Sequence, residues 1–83
     1  MEKLLIHLYV PAVAEDFDLF VPADLSVEKV IRILATGIEE STNGRYRPSG
    51  RETLMPGDGR KAFRPECRLA EYAVRDGDKL ILI

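Results

Sequence analysis

Eighty-three residues, 46% hydrophobic and 31% charged, with a formal net charge of −2, describe one small globular domain spanning residues 1–83. A single cysteine, Cys67, excludes an internal disulfide framework and any zinc site built on several thiolates. No stretch approaches the ~20 apolar residues that cross a bilayer. The opening "MEKLLIHLYVP" lacks the basic lead and long apolar core of a signal peptide, so the cytoplasm is the expected location.

"KLLIHLYV" alternates as a strand, with Leu4, Ile6 and Leu8 on one face and Leu5, His7 and Tyr9 on the other. "PAVAE" turns the chain, and "DFDLFVP" alternates again. Phe17, Leu19 and Val21 point inward there, and Asp16, Asp18 and Phe20 point outward. The two strands suit an antiparallel hairpin. "ADLSVEKVIRILATGIEES" predicts a helix, with the Ser26 hydroxyl as its N-cap and Glu28 favoured by the helix dipole. Val27, Val30, Ile31, Leu34 and Ile38 form its core-facing stripe. Gly37 weakens its last turns, and "STNG" ends it.

"RYRPSGRE" reads as a loop and "ETLMP" as a short strand. "GDGR" then reads as a tight turn into "KAF", a small edge strand. A helical turn is expected around Leu69-Ala70-Glu71-Tyr72, and "DGDKLILI" is a turn leading into the last strand. A helix between a hairpin and later strands packs across one sheet face, with the first and last strands adjacent in the centre. The expected fold class is α+β: a β-grasp with a mixed sheet of four to five strands and one main helix. A central position lets the final strand be continuously apolar.

The run Leu69-Ala70-Glu71-Tyr72, Val74, Arg75-Asp76-Gly77-Asp78 and Leu80-Ile81-Leu82-Ile83 resembles the end of the ubiquitin-like globular domain. That resemblance implies that the Tyr72 hydroxyl fixes a loop. Three further features are similar to the small bacterial YukD/EsaB group. They are "FDL" at 17–19, "VEKVI" at 27–31 and "CRL" at 67–69, followed by Gly77-Asp78-Lys79-Leu80. That group serves type VII (ESX/WXG100) secretion. The resemblance implies a non-catalytic accessory or regulatory module whose partner is a protein of the membrane secretion machinery, reached from the inner face of the membrane without insertion. The family's sulfur-carrier and modifier relatives act through a Gly-Gly tail, and the sequence read here closes on Ile83. The expectation is therefore no conjugation, with a modifier or sulfur carrier as the alternative of another class.

No residue pattern points to an enzyme, a metal or a cofactor. His7 is expected to face solvent, with no second ligand type at metal spacing. Cys67 is read as a packed or spectator thiol beside Arg68. "PGDGRK" is read as a hairpin turn, and Asp76 and Asp78 as turn formers around Gly77. What remains is surface. On the resemblance, Met55, Ile81 and Ile83 hold the positions of ubiquitin's docking patch, and Leu5 and Tyr9 extend it. Outward aliphatic residues on an uncovered sheet ask for a partner, with a homodimer as the alternative occupant.

Charge is unevenly placed along the chain. Residues 1–43 hold the acids Glu2, Glu15, Asp16, Asp18, Asp24, Glu28, Glu39 and Glu40 against Lys3, Lys29 and Arg32. Bases dominate 44–68, where Arg45, Arg47, Arg51, Arg60 and Arg64 are expected to form a basic rim around the patch. A basic-patch binder of nucleic acid is the third reading, but nucleic acid is not the expected partner, because Tyr46 between Arg45 and Arg47 is the only pairing of bases with a stacking aromatic.

Overall fold

Alternation of inward- and outward-facing residues over 3–10 and 15–22 produces two long strands, β1 (Lys3–Val10) and β2 (Glu15–Pro22), paired antiparallel from Lys3↔Pro22 to Val10↔Glu15. The structure is a computed structural model that describes residues 3–83. Helix α1 (Val27–Ser41) follows, then β3 (Leu54–Pro56), a single 3-10 turn (Leu69–Tyr72) and β4 (Asp78–Leu82). The four strands lie in the order β2-β1-β4-β3. β4 runs parallel to β1, from Ile6↔Asp78 to Tyr9↔Ile81, and β3 runs antiparallel to β4. The first and last strands are thus the central pair, as the β-grasp expectation requires.

Ile6, Leu8, Val10, Val21, Leu54, Leu80 and Leu82 meet the buried stripe of α1 in one core. That stripe is Val27, Val30, Leu34, Ala35 and Ile38. Ile31, expected within it, is only partly buried, and the small Ala35 takes the fifth place. Ser26 caps the helix by accepting the Lys29 amide (3.3 Å). At the other end the buried Thr42 hydroxyl donates to the Ile38 carbonyl (2.8 Å) and accepts the Tyr46 amide (3.0 Å). Asn43 and Gly44 follow with φ of 51° and 83°, the left-handed conformation that reverses the chain.

Two local expectations are corrected. Residues 61–63 form no strand; only the Phe63 amide reaches the sheet, donating to the Leu54 carbonyl (2.9 Å). β3 ends on Pro56, which has no N–H to offer a further ladder, and the turn closed by Gly59 N–H to Pro56 O (3.1 Å) carries the chain away. "PGDGRK" is therefore a turn without a hairpin. Its Gly57 lies so close to β4 that a Cβ there would meet Lys79 Cβ at 2.7 Å. Tyr46 belongs to the core, only 6% exposed, so its face is unavailable for stacking on a base. The loop "RYRPSGRE" is anchored by this ring.

Candidate docking surface

The helix covers one face of the sheet, and the other face carries the outward residues of all four strands. The register arranges them in rows. Asp16, Tyr9, Ile81 and Met55 are cross-strand neighbours, and the next row is Asp18, His7 and Lys79. Leu5 lies one row further on, opposite Phe20. The expected patch therefore divides. Tyr9, Ile81 and Met55 are contiguous, and Ile83 extends them, because its amide donates to the Thr53 carbonyl (2.9 Å) beside β3. Leu5 is separated from that group by the polar row and joins Phe20 instead.

Exposure does not follow that division and is greatest at one residue of each group. Ile83 is 64% and Phe20 67% exposed, while Tyr9 stands at 38% with Ile81 and Met55 half-buried around it. A shallow hollow of about 200 Å³ opens beside Tyr9 and Ile81, bordered by Asp16 and Lys79 with Gly57 at its rim. Phe20 was legible as an outward residue, but its role as Leu5's neighbour depends on register, which alternation alone does not supply.

Two members of the polar row pair with each other. The His7 imidazole Nδ1 contacts the Asp18 carboxylate, which agrees with a half-exposed strand histidine. No cluster of three or more His, Cys, Asp or Glu side chains that could hold a metal occurs among the described residues. Cys67 is partly buried beside α1, and its carbonyl accepts the Val27 amide (2.7 Å).

Three of the arginines expected to rim the patch are held by local carboxylates. Arg45 pairs with Glu15 at the start of β2, Arg60 with Asp58 (2.7 Å) and Arg64 with Glu66 (3.0 Å). Arg47 and Arg51 lie exposed in the loop after the helix, with no ion pair among the described residues. Local carboxylates thus hold three of the five arginines in place.

Around the 3-10 turn, the Tyr72 hydroxyl accepts the Arg64 amide (2.9 Å) and its ring packs tilted on Phe63 at 4.8 Å. The segment leaving β3 is thereby tied to the turn before β4. Asp78 accepts the Arg75 amide (2.9 Å), as a turn former does. Asp76 reaches further and accepts the Leu5 amide of β1 (2.9 Å), a tie across the central pair with no local sequence signature. Glu71 accepts the Arg68 amide and lies beside its guanidinium, and both hold its carboxyl below the usual carboxylate range.

No helix among the described residues is long and apolar enough to cross a membrane. The family model described as WXG100 protein secretion system (Wss), protein YukD, matches residues 5–82. No curated protein matches the sequence. Among solved structures, the chain superposes on the ubiquitin-like domain of the Mycobacterium tuberculosis type VII secretion system protein EccD1. The TM-score is 0.80 at 17% identity, covering 100% of this chain and 99% of that one. The EccD5 ubiquitin-like domain from Mycobacterium xenopi gives 0.81 at 19% identity, covering 100% and 94%. A chain of the MycP5-free ESX-5 inner membrane complex gives 0.73 at 18% identity, covering 100% of this chain and 21% of that one. At such identities the superpositions establish the fold, which is ubiquitin-like.

Proposed function

The chain belongs to the YukD family of the WXG100 protein secretion system, and from that premise we propose that it is a protein-docking module of the secretion machinery. The observation that carries this reading is the group Tyr9, Met55, Ile81 and Ile83, set side by side on a sheet face that no second layer of the described residues covers. An aromatic residue among aliphatic ones with a polar border is the composition of an interface centre. The partner fitted to it is a protein component of the membrane apparatus. The similarity to part of a chain in an inner membrane complex supports that choice. The protein acts from the cytoplasm and reaches the membrane through that partner, without chemistry of its own.

The test compares affinity capture by the wild type with capture by an Ile81→Asp/Ile83→Asp variant shown by circular dichroism to be folded. Wild type is expected to retain a component of the apparatus, and the variant to lose at least tenfold of it. Equal retention would move the site off this face. Elution of a second copy of the chain in place of the component would assign the face to a homodimer.

A further inference from the structure

We propose that the outer edge of β2 is a second docking site, taking an extended segment of another protein in which apolar residues alternate with lysine or arginine. The argument begins with the backbone. Leu5 accepts the Gly77 amide at its carbonyl (2.8 Å), and its own amide donates to Asp76. Its polar groups therefore face β4. Because a strand's backbone groups alternate in direction, Leu4, Ile6, Leu8 and Val10 are the residues that bond β2. Their partners are Val21, Leu19, Phe17 and Glu15. The intervening Asp16, Asp18 and Phe20 then direct their N–H and C=O groups away from the sheet, and none of these groups is paired among the described residues. A strand edge of this length, with its only proline at the end, is a template for one more strand.

The helix side of that edge is an incompletely covered apolar strip. One flank of α1, with Glu28, Ile31, Arg32 and Thr36, borders Pro48, Gly50 and Glu52 on the approach to β3. The opposite flank, with Lys29, Ile33 and Gly37, is consequently turned toward β2. The ion pair between Arg45 and Glu15 holds the end of the helix beside the start of that strand. Phe17 and Leu19 point to the helix side yet stay only partly buried, Ile33 is 48% exposed, and Gly37 has nothing within 4 Å of where a Cβ would stand. An added strand would lay alternate side chains onto this apolar strip.

Its other side chains would stand on the outer face beside Asp16 and Asp18, and there charge selects the partner. Opposite charges across a strand pair are favourable and like charges are not, so lysine or arginine belongs at those positions. The same rule disfavours a second copy of this chain. Antiparallel pairing of two β2 edges about the middle of the strand would set Asp16 or Asp18 of one copy against Asp18 of the other.

The probes are two acetylated eight-residue peptides, one alternating Val with Lys and one alternating Val with Glu. Each is added to the isotope-labelled full chain while amide hydrogen exchange is followed. The Lys peptide is expected to slow exchange at Asp16, Asp18 and Phe20 and to bind at least tenfold tighter than the Glu peptide. Asp16→Lys/Asp18→Lys should invert that preference. Asp18→Pro removes an outward donor without touching the β1 ladder and should abolish protection. Should that variant fail to fold, Ile33→Lys, at an exposed helix position, should weaken binding of the Lys peptide instead. Ile81→Asp should leave the binding intact, which separates this site from the outer-face patch. The proposal is overturned by equal binding of both peptides, by binding that leaves the three amides unprotected, by no binding, or by protection that grows with protein concentration alone.

Discussion

Tyr46 buries its ring in the core while its hydroxyl donates to the Glu52 carboxylate (2.8 Å), which also accepts the Ser49 (2.7 Å) and Gly50 (3.1 Å) amides. Burial, then the bond to Glu52 and its negative charge, raise the tyrosine pKa well above its ordinary value of 10.0. For Glu52, burial acts to raise the pKa, but the Ser49 amide and the Tyr46 hydroxyl favour the charged form. The carboxyl is held below its ordinary 4.5. A carboxyl depressed in the folded state contributes stability that is fully present above its unfolded pKa and lost as pH falls through the folded one. Glu52→Gln should therefore lower stability at pH 7 by about 1–2 kcal/mol, a range reduced for its partial exposure. Urea melts of wild type should lose stability on going from pH 6 to pH 3, and those of the variant should lose less. This latch was not legible beforehand. "RYRPSGRE" reads as an open polar loop, and nothing in its local pattern shows that one glutamate will gather three donors.

Two glycines of opposite consequence show how elements constrain residues. Gly37 sits in the exposed flank of α1 with open space around it, so Gly37→Ala should stabilise the protein by about 0.5–1 kcal/mol through helix propensity. Gly57 leaves β3 with its amide donating to the Lys79 carbonyl (2.7 Å), and a Cβ would lie 2.9 Å from that same oxygen. Gly57→Ala should push β3 away from β4 and lower the thermal midpoint, while the helical signal in circular dichroism persists. Ser26→Ala is expected to cost about 1 kcal/mol, the usual loss at an N-cap. The helix was legible because cap, stripe and stop are local signals that agree with one another. The stretch 57–64 was not, because its conformation is set by partners outside it: β4, Leu54 against Phe63, and the Tyr72 hydroxyl.

At the scale of the molecule, β4 contributes to two surfaces with unequal tolerance. Alternation showed that Leu80 and Leu82 face inward and Ile81 outward, and burial agrees. What alternation could not show is the register between β1 and β4, strands some seventy residues apart, which sets Ile81 beside Tyr9 and leaves Leu5 with Phe20. A domain of this size has a total stability of roughly 4–12 kcal/mol. Leu80→Ala removes buried methyl groups from the central strand and should cost about 2–4 kcal/mol, a large share of that total. Ile81→Asp changes a half-buried side chain on the uncovered face and leaves the core packing intact, so its cost should stay within about 1–1.5 kcal/mol. If the outer face exists for docking, Ile81→Asp should abolish partner capture while shifting the urea midpoint by less than Leu80→Ala does. Leu80→Ala should shift the midpoint strongly while its folded fraction still binds. Both variants losing binding only in proportion to lost stability would mean that the patch serves the fold alone.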